Sequence, residues 1–270
     1  MANGAWSYKP DIPRLSDYPT RVDATENLPE LEPSLQSIGE HQRRLWANRQ
    51  RSLLIIVHGL DASGKDSLIR TLATYLDPAG FRAWSFGRPQ GAETGHDFLW
   101  RFVPRLPAFG EVVVFNRSYH EGVIAERASP VWSPTRYDWE ARYRAIRDFE
   151  DHLLNEGTAV LKFWLNLSMA EHRKRLIKRL DEPRKQWKFD PSDIDAWHRR
   201  EELLGYTEAA IAATHRAHVP WFIIPGDDKP AARRIVAGIL ADELQALAPN
   251  YPAVDQSRVA GYREALVSSD

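Results

Sequence analysis

Short apolar runs alternate along the chain with longer segments in which apolar residues recur every three or four positions. The runs predict five buried strands, at 53–58, 81–86, 112–115, 160–165 and 221–224. The longer segments predict helices that begin at 34, 65 and 96 and helices over 139–154, 168–181, 192–216 and 230–247. Strands that alternate with helices form parallel sheets. We therefore predict an α/β fold in which helices sandwich a five-stranded parallel sheet.

The same pattern divides the chain into three parts. Residues 1–33 are rich in proline and predict an extended arm that lies over the domain or reaches a neighbouring subunit. Residues 34–250 form the predicted core, and 251–270 a tail. The segment 168–218 is longer than one crossover helix, so we expect a helical lid inserted between strands 4 and 5.

Composition narrows the possible functions. The 270 residues carry a net charge of −1 and include no cysteine, which excludes disulfides, thiolate metal sites and a cysteine nucleophile. The balanced charge gives no overall field that would attract nucleic acid or a membrane. The chain shows neither a signal-peptide layout nor an apolar run of spanning length. We expect a cytoplasmic protein.

The strongest chemical signal is the loop 59–67. A buried strand ends in Gly59, and Gly64-Lys65 follows five residues later at the start of a helix. The alternative is an ordinary strand–helix turn, but this context favours a phosphate-binding loop, whose backbone N–H groups and helix N-terminus attract an anion. Lys65 adds a mobile positive charge. The predicted phosphate-binding residues of the loop are Gly59, Ala62, Ser63, Gly64, Asp66 and Ser67.

Two carboxylates in this loop predict a magnesium site. Asp61 would be poorly placed beside phosphates unless a metal ion intervened, so we expect it to bind Mg²⁺ directly or through water. Asp66 stands where a serine or threonine is usual, and it either shares that role or caps the helix. The histidines show no metal-ligand spacing on a suitable element, so no zinc site is expected.

Positive charge is concentrated in two further places. Arg117 directly follows the third strand and would clamp a phosphate, although Asn116-Arg117-Ser118 could also be an ordinary polar turn. A basic run extends over 173–188, and such runs are usually solvated helix faces. Like charges at three- and four-residue spacing repel one another, and a phosphate-rich ligand would relieve that repulsion. The predicted lid contacts are Arg173, Lys178, Arg179, Lys185 and Lys188.

Several motifs together resemble the polyphosphate kinase 2 family. The resemblance extends from about residue 35 to residue 247, and the motifs occur in the family's order. They are Gly59-Leu60-Asp61-Ala62-Ser63-Gly64-Lys65-Asp66, Trp84-Ser85-Phe86, Pro89 with Glu93, His96-Asp97-Phe98-Leu99-Trp100-Arg101, Phe115-Asn116-Arg117-Ser118, Leu161-Lys162-Phe163, Arg179-Leu180 with Pro183, Lys185-Gln186-Trp187-Lys188-Phe189, and Asp228-Lys229 with Arg233.

The resemblance implies a P-loop kinase core with a helical lid, which transfers a phosphate between inorganic polyphosphate and a nucleotide with Mg²⁺. Asp61, Lys65 and Arg117 would then be catalytic. Asn116 resembles the branch that phosphorylates both nucleoside mono- and diphosphates. The implied acceptor is AMP or ADP, or GMP or GDP. The predicted nucleotide contacts are Arg88, His96, Asp97, Arg101, Asn116, His120 and Glu121.

Three departures from the family pattern bear on the acceptor. An acidic group is missing at Gly122, a basic residue is replaced by Gly87 with Arg88 one place later, and the lid stretch 199–202 is altered. Two other functions therefore stay open: an ATP-dependent nucleotide kinase and a weakly active polyphosphate-binding regulatory protein. We expect a homo-oligomer, either a dimer or a tetramer, and neither nucleic acid nor a membrane as partner.

Overall fold

The computed structural model describes residues 3–23, 25–130, 137–248 and 250–268. Its sheet has five strands, all parallel, in the order β2-β3-β1-β4-β5. The strands are β1 (Ser52–His58), β2 (Phe81–Ser85), β3 (Val112–Asn116), β4 (Thr158–Asn166) and β5 (Trp221–Pro225). The helices are α1 (Asn3–Trp6), α2 (Leu31–Asn48), α3 (Lys65–Leu72), α4 (Ala125–Ala128), α5 (Trp139–Asn155), α6 (Met169–Asp181), α7 (Pro183–Gln186), α8 (Pro191–His198), α9 (Arg200–Thr214), α10 (Lys229–Leu247) and α11 (Gln256–Val267). The α/β fold and the five-stranded parallel sheet predicted from the sequence are confirmed.

Strand β1 is the centre of the sheet. All its residues are buried, because β3 and β4 flank it and helices cover both faces. Side chains alternate between faces. Leu53, Ile55 and Val57 pack with α2, α3 and α10, whereas Leu54 and Ile56 pack with α5. Burial on both faces explains why this strand is a continuous apolar run.

The parallel register brings the carboxyl ends of the central strands to one edge. Val57 pairs with Asn116 on β3, and His58 pairs with Trp164 on β4. From β1 the chain goes to β2 and β3 on one side and later to β4 and β5 on the other. Open α/β sheets bind ligands at such a change of direction. The loop that follows His58 lies there.

Between β4 and β5 the structure contains four helices, α6 to α9, where the sequence predicts the lid. Ser168 caps α6 as predicted, since its Oγ accepts a hydrogen bond from the Glu171 N–H at 3.2 Å. Two details differ from the prediction. Residues 183–186 form a short helix rather than a loop, and the helix expected over 192–216 is two helices that meet at Arg199, whose backbone is not helical.

The helix predicted to begin at 96 is wrong. The structure has 3-10 turns at Gly91–Gly95 and Val103–Arg105, with irregular turns between them. The side chain of Asp97 accepts a hydrogen bond from the Leu99 N–H at 2.9 Å, and Pro104 follows. Both features compete with helical hydrogen bonding. Helix α2 also begins earlier than predicted, at Leu31, because Pro33 is tolerated in a first turn.

The N-terminal segment packs against the outer edge of the sheet. The Tyr8 N–H donates to the carbonyl of Trp221 at 2.8 Å, and Tyr8, Leu15 and Tyr18 are buried. The Leu15 N–H donates to Glu208 of the lid at 2.7 Å. The segment thus covers an edge strand that would otherwise expose unpaired backbone groups. Residues 1, 2 and 24 of the predicted arm lie outside the described residues.

Helix α11 lies in the region predicted as a tail, and each of its residues is exposed. Residues 269 and 270 of that tail are outside the described residues. None of the described helices combines the length and the apolar composition that a membrane crossing requires.

Candidate active site

The loop between β1 and α3 has the backbone of an anion-binding turn. Gly59 and Gly64 adopt positive φ angles of 154° and 106°, and Ala62 adopts one of 61°. A Cβ at Gly59 would lie 2.6 Å from Ser63 Oγ, and the positive φ would strain any other residue there. Positive φ at an alanine is strained, and such strain is concentrated at functional sites. Gly64 is the residue before the first turn of α3, whose N-terminus attracts anions.

Lys65 is buried inside this turn. Its Nζ donates to the carbonyls of Gly59 at 2.8 Å and Leu60 at 3.1 Å. Burial, and after it the charge of Arg117, lowers the pKa of Lys65 to about 8. An anion bound in the loop would favour the charged form. The lysine is therefore positioned to neutralise a phosphate.

Asp61 and Arg117 form an ion pair across the mouth of the loop. Arg117 follows β3 in a left-handed conformation with φ of 65°, and its N–H donates to the Val57 carbonyl at 3.0 Å. Burial would raise the pKa of Asp61, but the charges of Arg117 and Lys65 outweigh it and hold that pKa below its usual value. Asp61 is thus ionised and close to both predicted catalytic cations.

The lid contacts the loop at two points. Lys188 Nζ lies 2.7 Å from Asp66 Oδ2, while Asn116 Nδ2 donates to the other oxygen of Asp66 at 2.9 Å. Arg175 is buried and donates from NH1 to the Ser63 carbonyl at 2.7 Å. Its NH2 donates at 2.7 Å to the carbonyl of Gly226, after β5. One arginine therefore ties the lid, the loop and the next strand end together.

The other predicted lid cations differ in their exposure and in their ion-pair partners. Arg179 pairs with Asp193 at 3.0 Å, and Lys185 pairs with Glu182 at 2.6 Å. Arg179 is near enough to lower the pKa of Asp61. Arg173 is exposed, and Lys178 is 62% exposed and pairs with Glu182. The lid helix thus turns one cationic face to the loop and another to solvent.

A cavity of about 350 Å³ lies between the loop and the lid. Its core side carries Asp61, Arg88, Arg117 and Glu121, and its lid side carries two aspartates and one arginine. Burial would raise the pKa of Glu121, but His58 and Arg117 together hold it below its usual value. The remaining wall is apolar and includes part of α4 and α9. Acidic, basic and apolar groups are therefore mixed in this cavity.

A narrow crevice on the other side of the loop has a different lining. Ser63, Gly64 and Ser67 form one wall, and Lys229 and Arg233 of α10 form the other. Among the described residues, none that lines this crevice is acidic. Burial, followed by the charges of Arg175 and other nearby cations, lowers the pKa of Lys229. The Oγ of Ser63 and the Nε of Arg233 are buried without a hydrogen-bond partner in the described part of the chain.

A network of buried polar side chains extends into the core from His58, the residue that precedes the loop. His58 Nε2 lies 2.8 Å from Ser118 Oγ, and its Nδ1 lies 3.3 Å from Glu121. Ser118 Oγ lies 3.1 Å from His120 Nδ1. The network continues to Glu150, which pairs with a fully buried lysine. These contacts fix the residues on both sides of Arg117.

The predicted nucleotide contacts do not all meet at the cavity. Arg88 and Glu121 line it, whereas His96, Asp97 and Arg101 line a separate small crevice. His120 is fully buried in the polar network, and this position gives no support to a nucleotide contact. A Cβ at Gly122 would lie 2.7 Å from the ring of Phe98. Phe98 therefore occupies the space in which the acid expected at 122 would begin.

The metal prediction concerns Asp61 and Asp66, which flank the loop. No cluster of three or more histidine, aspartate or glutamate side chains suited to a metal ion occurs in the described ranges. Mg²⁺ in phosphoryl-transfer sites is usually held by one or two carboxylates together with substrate phosphates and water. Asp61 and Asp66 are compatible with this way of binding Mg²⁺. They do not provide enough ligands to bind the ion without substrate phosphates.

The structure also identifies residues that the sequence prediction of the site did not select. Arg175 and His172 share one face of α6 with the predicted Arg179, at the spacing that brings residues of a helix together. This spacing was the available signal for Arg175. Lys229 and Arg233 follow β5 and face the loop from α10. The motif Asp228-Lys229 with Arg233 is the signal that the sequence offers for both residues, but it does not show that α10 lies beside α3.

Fold and site together define a class: an α/β phosphotransferase built on a phosphate-binding loop and covered by a helical lid. Comparison with known proteins gives the family. Residues 22–251 match the family model described as Polyphosphate kinase 2 (PPK2). The chain therefore belongs to the polyphosphate kinase 2 family.

Three relatives illustrate the similarity. An ADP-polyphosphate phosphotransferase of Rhodopseudomonas palustris is 36% identical over 259 residues, which cover 90% of each chain. An AMP/ADP-polyphosphate phosphotransferase of Meiothermus ruber is 39% identical over 232 residues, covering 85% of this chain and 84% of that one. The crystal structure of Polyphosphate Kinase 2 from Arthrobacter aurescens superposes with a TM-score of 0.87 at 30% identity and covers 98% of both chains.

Proposed function

We propose that this protein transfers a phosphate between inorganic polyphosphate and a nucleoside mono- or diphosphate. One observation carries the proposal: the phosphate-binding loop separates two recesses of different chemistry. The cavity on one side mixes charged and apolar groups, whereas cations without carboxylates line the crevice on the other. The names of the relatives from Rhodopseudomonas palustris and Meiothermus ruber support this assignment.

The crevice, with a volume of about 10 Å³, is too small to enclose a phosphate, but its cationic lining suits a polyanion that lies across its opening. Lys229 and Arg233 line it, and Arg175 and Lys185 are close enough to affect the pKa of Lys229. Glu171 and Glu182 pair with Arg175 and Lys185 and offset part of the repulsion among these cations, and an anion beside Lys229 and Arg233 would offset the rest. The unpartnered Arg233 Nε and Ser63 Oγ offer donors to phosphate oxygens. We therefore assign the polyphosphate chain to this side, with Lys185 and Lys188 of the lid above it.

The cavity suits a nucleotide. Arg88 and Arg117 are available to its phosphates, and the wall formed by Ile124, Ala125 and Leu203 is available to a base. Pockets for small molecules commonly combine an apolar lining with a few placed polar groups. The volume of about 350 Å³ lies in the range of such pockets.

The reaction needs alignment and charge neutralisation rather than covalent catalysis. The terminal P–O bond of polyphosphate breaks, the shortened chain keeps the electron pair, and a phosphate oxygen of the nucleotide forms the new bond. Lys65 neutralises the transferred group, and Arg117 clamps it from the nucleotide side. The acceptor oxygen is already ionised near neutral pH, so no general base is required. The side chain of Asn116 is an amide, which cannot act as a general base, and this is consistent with such an acceptor. The lid keeps out water, which would otherwise compete as acceptor.

Magnesium is the implied cofactor, and Asp61 and Asp66 would hold it together with phosphate oxygens. When bound, Mg²⁺ withdraws negative charge from the phosphates at the point of transfer. Asp61 is ionised and its partner Arg117 can turn to phosphate, while Asp66 is held by Lys188 and Asn116. Both carboxylates thus have partners that a phosphate–magnesium complex could replace.

The decisive experiment compares phosphate donors. The protein is incubated with AMP or ADP, Mg²⁺ and either polyphosphate or ATP, and the nucleotide products are separated. We expect ADP and ATP to form with polyphosphate as donor. Transfer from ATP to AMP without any use of polyphosphate would establish an ATP-dependent nucleotide kinase. Binding of polyphosphate without product would establish a regulatory protein.

We also infer a cytoplasmic homo-oligomer. Its cysteine-free sequence is compatible with a reducing compartment. Val259, Tyr262 and Leu266 form an apolar stripe on α11 and are exposed. Light scattering of the whole protein and of a variant with all three changed to serine tests whether this stripe joins subunits. An unchanged mass in the variant would exclude α11 from the interface.

A further inference from the structure

The side chain of Asp227, the second residue after β5, is buried where three segments of the chain meet. It is 3% exposed. Its Oδ1 accepts a hydrogen bond from the Ser168 N–H at 2.9 Å, and its Oδ2 accepts one from Thr20 Oγ1 at 3.1 Å. The Asp227 N–H donates to the Thr20 carbonyl at 2.9 Å. One residue thus joins the end of the sheet, the N-terminal segment and the N-cap of the lid helix α6.

The main chain at Asp227 also holds α6 at a second point. Arg175 donates from NH2 to the carbonyls of Gly226 and Asp227, at 2.7 Å and 3.0 Å. Arg175 comes seven residues after Ser168, which is about two turns of a helix. Two points of α6, two turns apart, are therefore attached to the same two residues. Attachment at both points fixes the direction in which α6 leaves the core.

The anchor at Gly226 and Asp227 belongs to the sheet and not to the lid. The Gly226 N–H donates to the Asn166 carbonyl at the end of β4, at 2.8 Å. A Cβ at Gly226 would lie 2.9 Å from that carbonyl oxygen, so the glycine permits this close approach. Asn166 Nδ2 donates to the Leu15 carbonyl at 3.0 Å, which ties the N-terminal segment to the same place. The lid is thus oriented relative to the sheet and to the loop that follows β1.

The direction of α6 matters for the loop because Arg175 connects the two. Its NH1 donates to the Ser63 carbonyl at 2.7 Å, so a rotation of α6 would pull on the loop or break this contact. Lys188, which contacts Asp66, follows α6 along the chain and would move with it. The contacts of Asp227 therefore bear on the position of both lid cations that touch the loop.

We propose that Asp227 is a positioning residue for phosphoryl transfer, which sets the lid on the loop with help from Thr20. The inference rests on the proposed function, in which the lid keeps water from the transferred phosphate. With α6 displaced, water would replace the nucleotide as acceptor. The terminal P–O bond breaks as before and the shortened chain keeps the electron pair. Water forms the new bond and releases a proton to solvent, and the product is inorganic phosphate.

The test is the amount of inorganic phosphate released per ATP formed from polyphosphate and ADP, with the Tm measured on the same samples. We expect this ratio to rise about tenfold in Asp227→Ala and about threefold in Thr20→Val, which removes one hydroxyl. Asp227→Asn keeps a side-chain oxygen for the Ser168 N–H and should stay within about twofold of wild type. Asp17→Asn, an exposed aspartate of the N-terminal segment, is the control and should change nothing.

A role in stability alone would lower the Tm and the fraction of active protein but leave the ratio unchanged. An unchanged ratio in folded Asp227→Ala therefore overturns the proposal. If that variant does not fold, an unchanged ratio in Thr20→Val overturns it. A ratio in Asp227→Asn as high as in Asp227→Ala would assign the effect to charge and would also overturn it. If the wild type uses only ATP as donor, the proposed function fails, while phosphate released from ATP per phosphate transferred still tests the role of Asp227.

Discussion

Lys188 on the lid and Asp66 on the phosphate-binding loop form an ion pair, with 2.7 Å between Nζ and Oδ2. Their side chains are 35% and 54% exposed. Pairs this exposed contribute at most about 1 kcal/mol. The contact therefore holds the lid near the loop and is weak enough to be exchanged for a phosphate. If polyphosphate takes the place of Asp66, its binding is coupled to the position of the lid.

Lys188→Ala should raise the KM for polyphosphate about fivefold, the effect of losing about 1 kcal/mol, and leave the KM for the nucleotide nearly unchanged. Steady-state kinetics with each substrate varied in turn measures both values. Lys178→Ala is the matched control, since Lys178 belongs to the same lid, is 62% exposed and pairs with Glu182. An equal effect of the two variants would show that the loss reflects overall charge and not a contact between Lys188 and polyphosphate.

Lys65→Ala should reduce turnover by at least about 10²-fold, because a charge that stabilises the transferred phosphate is removed. The fold should persist. The two carbonyls that Lys65 contacts belong to a loop beside a cavity, where water can replace the lysine. We expect the Tm to change by less than about 3 °C. Near-normal turnover in a folded variant would exclude the loop from the mechanism.

Arg175→Lys should destabilise the protein by about 2–4 kcal/mol and lower turnover, although the charge is retained. A lysine cannot donate at once to the carbonyls of Ser63 and Gly226 and to the carboxylate of Glu171, as Arg175 does. Denaturant unfolding and turnover are measured on the same samples. Arg173→Lys, two residues away and exposed, should affect neither quantity. Full stability of Arg175→Lys would mean that these contacts do not hold the loop.

The affinity for polyphosphate should be level below pH 8 and decrease above it. In the free protein the pKa of Lys65 is about 8, and a bound phosphate raises it by favouring the charged form. Above pH 8, binding must therefore take up a proton, and the affinity contributed by Lys65 falls by at most about tenfold per pH unit. Calorimetric titration between pH 6.5 and 9.5 measures this. Lys65→Arg should remove the decrease, whereas a wild-type affinity that stays level to pH 9.5 would contradict it.

The sequence was sufficient to predict the sheet and the phosphate-binding loop because both depend on local pattern. A wholly apolar run such as 53–58 requires burial on both faces, and glycine at 59 and 64 indicates a turn with positive φ. The helix from 96 was mispredicted because the apolar residues there follow helical spacing while Asp97 and Pro104 break the backbone pattern. The spacing of apolar residues does not show whether a side chain or a proline competes with the helical hydrogen bonds.

Less of the candidate site could be predicted from the sequence, because the site depends on which helices lie beside the loop. Arg173 and Arg175 are two residues apart and indistinguishable by charge, yet one is exposed and the other is buried against Ser63. Similarly, His120 follows the predicted clamp closely in sequence but points into the core network. Packing between distant segments decides each of these outcomes, and one sequence does not specify that packing.

The central claim is that the loop separates a polyphosphate side from a nucleotide side. The variant Lys229→Ala/Arg233→Ala tests it most directly, with the KM for polyphosphate and the KM for ADP measured on the same preparation. The account predicts a rise of at least about tenfold in the KM for polyphosphate, and a KM for ADP within about twofold of wild type, since the loss of one charge-assisted contact costs about 1.5–3 kcal/mol. An equal rise in both constants, or a rise in the KM for ADP alone, would contradict the account.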